Sequence, residues 1–230
     1  MVFTGNPGTG KTTVARILGK MFKSVGCLSK GHFIECDRSM LVGMYMGETA
    51  LKTKKILQKA LGGILFIDEA YSLAQTYTDG DDSSGREAID TILKYMEDNR
   101  DDLIVIAAGY KDEMKTFITS NPGLKSRFNK YFHFEDYGAD DLEAIYLEVL
   151  KQSYYGIDKA GLIHAKALIS KMVLHKGENF GNGRTIRNFF EKCLANQANR
   201  VSHFANPTKE DLTLLVEADI READLFEVLK

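Results

Sequence analysis

Cysteine is scarce in this chain: Cys27, Cys36 and Cys193 are the only three in 230 residues. Their number is odd and no pair has CxxC spacing, which argues against a disulfide framework and against a cysteine-ligated zinc site. The pattern favours buried thiols in a reducing compartment. The five histidines are scattered without metal-ligand spacing, so we assign them no chemistry.

Long apolar runs and an excess of one charge are also missing. No stretch approaches the length of a membrane span, and no charged-then-apolar signal segment starts the chain. Thirty basic and thirty-two acidic side chains give a formal charge of −2, which provides no overall field for nucleic acid or an anionic membrane. The 44% hydrophobic content is enough for a proper core. We therefore expect a cytoplasmic globular protein that binds neither nucleic acid nor membranes.

What the sequence does contain is a complete phosphate-binding loop, GxxxxGK[ST], at Gly5–Thr12. It lies between a short apolar strand and an amphipathic helix over Lys11–Val25. The glycines let consecutive backbone N–H groups surround phosphate oxygens, Lys11 reaches the β- and γ-phosphates, and the Thr12 hydroxyl ligates Mg²⁺. A glycine-rich turn alone can be structural, but the full pattern in this context indicates a nucleotide triphosphatase. We predict nucleotide contacts from Asn6, Pro7, Gly8, Thr9, Gly10, Lys11, Thr12 and Thr13.

Two carboxylates follow the apolar run Ile64–Ile67, namely Asp68 and Glu69. A buried parallel strand ending in acids delivers them to the sheet edge where ligands bind. Asp68 would hold Mg²⁺, directly or through water, and Glu69 would polarise the attacking water for transfer of the γ-phosphoryl group. Taken alone, an apolar strand that ends in two acids is as often a purely structural feature as a functional one. It becomes specific because it follows a phosphate loop.

Strand and helix patterns alternate along the first half of the chain, which predicts an α/β fold with a parallel sheet covered on both faces. The predicted strands are Val2–Thr4, Phe33–Cys36, Ile64–Ile67, Leu103–Ala107 and Tyr131–Phe134.

From about Asp140 the strand signal stops and only helical periods remain. We therefore predict an α/β nucleotide-binding domain over residues 1–137 and an α-helical domain over residues 138–230. The polar segment Gln75–Gly85 is expected to be a mobile loop.

Three arginines have more than one interpretation. Arg127 precedes the last predicted strand and could neutralise charge on a neighbour's nucleotide, or could form a surface salt bridge. Arg184 and Arg187 open a helix after Gly181-Asn182-Gly183 and could contact nucleotide or pair with acids. Spacing alone favours the salt-bridge interpretation for each.

The segment Leu41–Gly47 places Tyr45 and two methionines between glycines, ahead of a helix. Such a loop could grip extended polypeptide, or Tyr45 could cap a local core. Without further context the core interpretation is favoured.

With these residues in view, the chain resembles the AAA+ ATPases, within the group that contains red-type Rubisco activase and stage V sporulation protein K. The resemblance runs nearly end to end and includes the phosphate loop, Ile64–Glu69, Leu41–Thr49, Met96–Asp102, Ala108–Tyr110, Ser120–Phe128 and Arg184–Asn188. It implies a five-stranded P-loop domain followed by a small α-helical lid, with ATP and Mg²⁺ as cofactors. It also implies homo-oligomeric, hexameric rings that pull on protein clients.

The resemblance assigns roles to the ambiguous residues. Tyr45, Met46 and Gly47 become the first pore loop, and the region around Gly85-Arg86 a second. Arg127 becomes the arginine finger and Arg184 the sensor-2 arginine of the lid. The sequence departs from the family at Tyr110, where a polar sensor-1 residue is common. It also begins at the first strand, without the helical segment found upstream in family members, which suggests a fragment, a mis-assigned start or a degenerate copy.

The sequence therefore predicts an ATPase that hydrolyses ATP at subunit interfaces and threads or pulls on a protein client. The alternative is an assembly scaffold or switch that binds ATP with little turnover. A small-molecule phosphoryl transferase is disfavoured because no second substrate pocket is apparent.

Overall fold

The computed structural model describes residues 1–45, 47–74 and 83–221. The chain forms two compact units. The first consists of Met1–Gly5 with Gly10–Phe134, and the second of Asn6–Thr9 with the chain from Glu135 onward. Half of the phosphate loop, residues 6–9, thus belongs to the second unit, whereas Gly5, Gly10, Lys11 and Thr12 belong to the first.

The first unit is built on a five-stranded parallel sheet with strand order β2-β3-β4-β1-β5. Its strands are β1 (Val2–Thr4), β2 (Phe33–Cys36), β3 (Ile64–Ile67), β4 (Ile104–Gly109) and β5 (Tyr131–His133). Its helices are α1 (Lys11–Ser24), α2 (Arg38–Leu41), α3 (Glu48–Ala60), a 3-10 helix (Ala70–Ala74), α4 (Ser83–Asp98), α5 (Lys111–Thr119) and α6 (Pro122–Arg127). The predicted five-stranded parallel sheet is confirmed.

Strand β3 shows why a parallel sheet forms here. All four of its residues are buried, and alternate side chains enter two different cores. Ile64 and Phe66 pack with Phe3 on one face of the sheet, whereas Leu65 and Ile67 pack on the other. The edge strand β5 differs, because all three of its residues are exposed.

Helix α1 packs through only part of its apolar side chains, with Leu18 and Phe22 against the core of the sheet. Its other large apolar side chains, Val14, Ile17, Met21 and Val25, are exposed, with Ile17 51% accessible. The helix instead buries Ala15 and Gly19, and a Cβ at position 19 would crowd the carbonyl of Gly31. Small residues therefore bring the helix backbone close to its neighbours.

The predicted mobile loop Gln75–Gly85 is wrong at its end, because helix α4 begins at Ser83. Residues 83–85 form the first turn of this helix, and Gly85 is buried. Residues 75–82 lie outside the described part of the chain.

The expectation of buried thiols is correct for Cys36 and Cys193 but wrong for Cys27, which is exposed. Burial raises the pKa of each buried thiol to about 12.

The second unit is mainly helical, with α7 (Ala139–Gln152), α8 (Lys159–Leu174), α9 (Gly183–Ser202), α10 (Lys209–Thr213) and α11 (Glu217–Arg221). Tyr146 and Phe189 pack at the centre of its core, with ring centroids 5.2 Å apart. The prediction that only helices follow Asp140 is wrong in one detail, since β6 (Gly156–Ile157) and β7 (Leu214–Leu215) form a short parallel pair. Among the described residues, no helix is long and apolar enough to cross a membrane.

Candidate functional site

The start of α1 has the features of an anion-binding helix terminus. Gly10 precedes it in a left-handed conformation with φ 90°, and no side chain caps the first turn. The N–H groups of Thr12 and Thr13 in that turn are therefore available to an anion. Thr12 is half-buried and Thr13 is exposed.

The lysine of the loop already points back along it. Its Nζ donates a hydrogen bond of 2.7 Å to the carbonyl oxygen of Gly5. Gly5 has φ 142°, and a Cβ there would overlap the carbonyl oxygen of Phe134. Only glycine allows this close approach of the first loop residue to the end of β5.

The two predicted acids lie directly after β3, at the carboxyl edge of the sheet. Asp68 is half-buried, donates its N–H to the carbonyl of Cys36 at 2.9 Å and accepts from the N–H of Glu69 at 3.1 Å. In the sheet, β4 separates β3 from β1, so Asp68 and Gly5 leave the same edge two strands apart, about 10 Å. The first unit thus presents a lysine and two carboxylates along one edge.

Glu69 is held in a strained conformation. Its φ of 46° lies in the left-handed region, which non-glycine residues seldom occupy, and its side chain is exposed. Its carbonyl accepts from the N–H of Ser72 at 2.8 Å. Such strain clusters at functional sites, because the surrounding structure must maintain it.

Tyr110 follows β4 at the same edge of the sheet. Its ring lies 6.3 Å from that of Tyr71, and it precedes α5 without a side-chain capping bond. Burial, together with the charge of Glu69, raises the pKa of Tyr71 to about 12, so this phenol stays neutral. The sequence analysis did not single out Tyr71.

Arg127 ends helix α6 and is engaged within its own unit. Its Nη2 lies 3.2 Å from Oε2 of Glu97, and its Nε is buried without a hydrogen-bond partner. The salt-bridge interpretation therefore describes the observed contact.

Arg184 and Arg187 lie in the first turns of α9, and both are exposed. Within the described ranges neither forms an ion pair, so the acid-pairing interpretation is not what the structure shows. Arg184 uses its backbone N–H to bond the carbonyl of Gly181 at 2.9 Å.

The predicted pore loop is exposed. Tyr45 is 72% accessible and Met44 89%, so Tyr45 does not cap a local core. Gly47 has φ 83° and precedes α3, while Met46 lies outside the described residues. The second predicted pore loop is wrong as a loop at Gly85-Arg86, because both residues are helical in α4.

A cavity of about 710 Å³ connects the exposed loop with the acids. It is lined by Asp37, Arg38, Ser39, Val42, Met44, Lys52, Asp68, Glu69 and Ser72. Hydrogen bonds join its two sides: Arg38 donates to the carbonyl of Ser72 at 2.8 Å, and Lys52 donates to that of Val42 at 2.8 Å.

The second unit holds residues 6–9 of the phosphate loop through three residues that the sequence analysis missed. These are Asp136, Tyr137 and Asn182. A signal was present in Asn182, which stands between two glycines immediately before the arginines of α9. The partners of its amide are far away in sequence, so no local pattern could reveal them.

Comparison with known proteins identifies the family. The family described as "ATPase family associated with various cellular activities (AAA)" matches residues 1–136, and an AAA lid domain matches residues 138–227. The chain belongs to the AAA ATPase family. This AAA protein is thus an ATPase that binds nucleotide, with an α/β domain and a lid.

Its relatives match over nearly its full length. Stage V sporulation protein K of Bacillus subtilis (strain 168) is 44% identical over 227 residues, covering 96% of this AAA ATPase and 68% of the relative. The chloroplastic ribulose bisphosphate carboxylase/oxygenase activase of Cyanidioschyzon merolae is 42% identical over 233 residues, covering 99% and 77%. Protein CbbX of Cereibacter sphaeroides is 41% identical over 228 residues, covering 98% and 72%. The resemblance stated from the motifs is confirmed.

Solved structures agree on the fold. The AAA domain of FIGL-1 matches with a TM-score of 0.65 and 18% identity, covering all of this chain and 70% of that one. The same domain in complex with ADP matches with a TM-score of 0.66.

Proposed function

We propose that this ATPase works in a homo-oligomeric, hexameric ring, hydrolyses ATP with Mg²⁺ at subunit interfaces, and uses the energy to pull on a protein client. The observation that carries the proposal is the shared cavity of the first unit, in which Met44 of the exposed loop and Glu69 line the same walls. The cavity therefore adjoins both the loop that would grip polypeptide and the carboxylate that would act on water, and its walls are held by the bonds of Arg38 to Ser72 and of Lys52 to Val42. The client and the cytoplasmic location stay predictions.

The donor set at the sheet edge fits Mg²⁺. The Thr12 hydroxyl and the Asp68 carboxylate are oxygen ligands, and Mg²⁺ in nucleotide sites uses one or two protein oxygens besides phosphate and water. When bound, Mg²⁺ would neutralise charge on the phosphates. These two residues would hold it, and the N–H of Glu69 would orient the carboxylate of Asp68.

The remaining steps are assigned to side chains of this chain. Lys11 would exchange its bond to Gly5 for the β- and γ-phosphates. Glu69 would accept a proton from the attacking water, and its exposed carboxylate is compatible with that role. Arg127 would leave Glu97 to neutralise the nucleotide of a neighbouring subunit, and Arg184 is proposed as the sensor-2 residue on the strength of the resemblance.

The rate of phosphate release, measured for Glu69→Gln and for the parent, distinguishes a motor that hydrolyses ATP from a scaffold that only binds it. We expect parent turnover that depends on Mg²⁺, and a loss of about 10²- to 10⁴-fold in Glu69→Gln with ATP still bound. Glu113→Gln, in the first turn of α5, is a matched control that should keep parent turnover. If the parent assembles with ATP but turns over as slowly as Glu69→Gln, the scaffold function replaces this proposal.

A further inference from the structure

Four successive carbonyl groups of the phosphate loop, those of residues 6–9, accept hydrogen bonds from donors within the second unit. The carbonyl of Asn6 accepts from the Thr9 hydroxyl at 2.8 Å, and that of Pro7 from Nδ2 of Asn182 at 3.3 Å. The carbonyl of Gly8 accepts from the N–H of Gly183 at 3.1 Å.

The carbonyl of Thr9 completes the series. It accepts from the Tyr137 hydroxyl at 3.0 Å. Each carbonyl from residue 6 to residue 9 therefore has its direction fixed by a specific donor.

Fixing a carbonyl also fixes the N–H of the same peptide group. A trans peptide is planar, so the N–H of the next residue points opposite to the carbonyl, and none of the described peptide bonds is cis. With the carbonyls of residues 7 to 9 held outward, the N–H groups of Gly8, Thr9 and Gly10 point the other way. Within the described ranges these three N–H groups donate to no protein acceptor, as expected of an anion-binding nest.

Asn182 is the residue on which this arrangement depends most. It is fully buried, and its φ of 48° with ψ of −123° is a conformation suited to glycine. The neighbouring positions 181 and 183 are glycine, yet position 182 is not. An asparagine in a strained backbone conformation stands where glycine would fit without strain, which points to a role for its side chain.

The Asn182 amide uses both of its polar atoms. Oδ1 accepts from the N–H of Tyr137 at 2.8 Å, and Nδ2 donates to Oδ1 of Asp136 at 2.8 Å and to the carbonyl of Phe180 at 2.9 Å, besides its bond to Pro7. One side chain thus ties together the start of the loop and the segment that begins the second unit's helices.

Asp136 orients this amide. Its Oδ1 also accepts from Nδ2 of Asn6 at 3.0 Å, and Lys176 lies 3.5 Å from its other oxygen. Burial raises the pKa of this carboxyl, but the amide donors of Asn182 and Asn6 and the charge of Lys176 outweigh it, so the net pKa lies below its usual value. The carboxylate is therefore ionised, and accepts from both amides at once.

We propose that Asn182, with Asp136 and Tyr137, is a positioning group that pre-orders the phosphate-loop N–H groups for the nucleotide. We call these three residues the clasp. The inference rests on the proposed nucleotide chemistry of the loop, but it assigns a role to residues that touch no phosphate. The clasp acts by removing, before binding, the backbone freedom that the loop would otherwise lose on binding.

Asn182→Gly tests the clasp, because glycine accepts the backbone conformation and lacks the amide. We expect ADP affinity, measured by calorimetry on the full chain, to fall about tenfold, which corresponds to about 1.4 kcal/mol. Backbone order parameters of Gly8, Thr9 and Gly10 in nucleotide-free protein should fall from about 0.85 to below about 0.6. The melting temperature should stay within a few degrees of the parent, since relief of strain offsets lost hydrogen bonds.

Two further variants serve as a partial disruption of the clasp and as a matched control. Tyr137→Phe keeps the ring and removes only the bond to Thr9, so it should weaken ADP binding about threefold. Asn206→Gly changes an exposed loop asparagine of the same unit and should match the parent in every readout.

Unchanged order parameters and ADP affinity in Asn182→Gly, with or without a lower melting temperature, would show that Asn182 only supports the lid and would overturn the proposal. Loss of loop order without loss of affinity would overturn it as well. A parent that binds ADP but does not hydrolyse ATP would contradict the proposed function, whereas the clasp would still be judged by affinity and order. A parent that binds no ADP would overturn both.

Discussion

Replacing Glu69 by glycine should make the protein no less stable while abolishing its turnover. Glu69 occupies a left-handed conformation with φ 46°, and its side chain is exposed. The residue therefore contributes strain and little packing to the folded state. If it is kept for chemistry, its removal should separate stability from activity.

The magnitudes follow from the backbone. A non-glycine residue held in the left-handed region costs about 1–3 kcal/mol, and glycine regains that energy. Glycine also adds about 0.5–1 kcal/mol of unfolded-chain entropy, which opposes folding. The free energy of unfolding of Glu69→Gly should thus lie between about the parent value and about 2.5 kcal/mol above it. Loss of a general base should slow turnover about 10²- to 10⁴-fold, a barrier increase of about 3 to 5 kcal/mol.

Urea denaturation and phosphate release measure the two quantities on the same preparations. Tyr154→Gly is the matched control, because Tyr154 also has a left-handed φ, of 61°, and is 88% exposed. It should gain similar stability and keep parent turnover. A Glu69→Gly variant destabilised by more than about 1 kcal/mol would refute this reasoning, since Glu69 would then be a structural residue.

Three further predictions concern separate parts of the molecule. Lys11→Ala should lose ATP binding as well as hydrolysis, because Lys11 neutralises phosphate charge in both ground and transition states; calorimetry that shows retained affinity would contradict this role. Tyr45→Ala should keep basal ATPase within a few-fold, a barrier change of about 1 kcal/mol or less, yet abolish remodelling of a client trapped by Glu69→Gln; unfolding of the variant would contradict the exposed loop. Asp219→Asn should destabilise the second unit by about 3 kcal/mol in urea denaturation, because buried Asp219 binds Arg200 at 2.8 and 3.0 Å; an unchanged midpoint would show that the pair is dispensable.

The sequence was most informative where chemistry and periodicity coincide. The strand Ile64–Ile67 was predicted with its observed bounds, because four consecutive apolar residues before two acids fit a strand buried on both faces. The position of Asp68 and Glu69 at the sheet edge followed from that strand. The left-handed backbone of Glu69 did not, since no residue type in the segment demands it.

Packing that depends on small residues was harder to predict. In α1 the apolar side chains indicate one buried face, but Ala15 and Gly19 decide the contact by allowing close approach. The strands β6 and β7 have two residues each, which is too short for a period to be recognised.

Contacts between residues that lie far apart in the sequence could not be predicted from it. Asn182 binds Pro7 across 175 positions, and Tyr137 binds Thr9 across 128. Single-sequence patterns report local periodicity and known motifs, so they could place the phosphate loop but not the residues that hold it.

The arginine finger gives the most direct test of hydrolysis at subunit interfaces. Arg127→Ala subunits are mixed with parent subunits at increasing fractions, and steady-state phosphate release is measured, with Arg100→Ala, a 75% exposed arginine, as the control. If Arg127 acts on a neighbour's nucleotide, activity should fall out of proportion to the variant fraction, whereas Arg100→Ala should have no effect. A linear fall with the fraction of Arg127→Ala would contradict a shared site and, with it, the proposed ring motor.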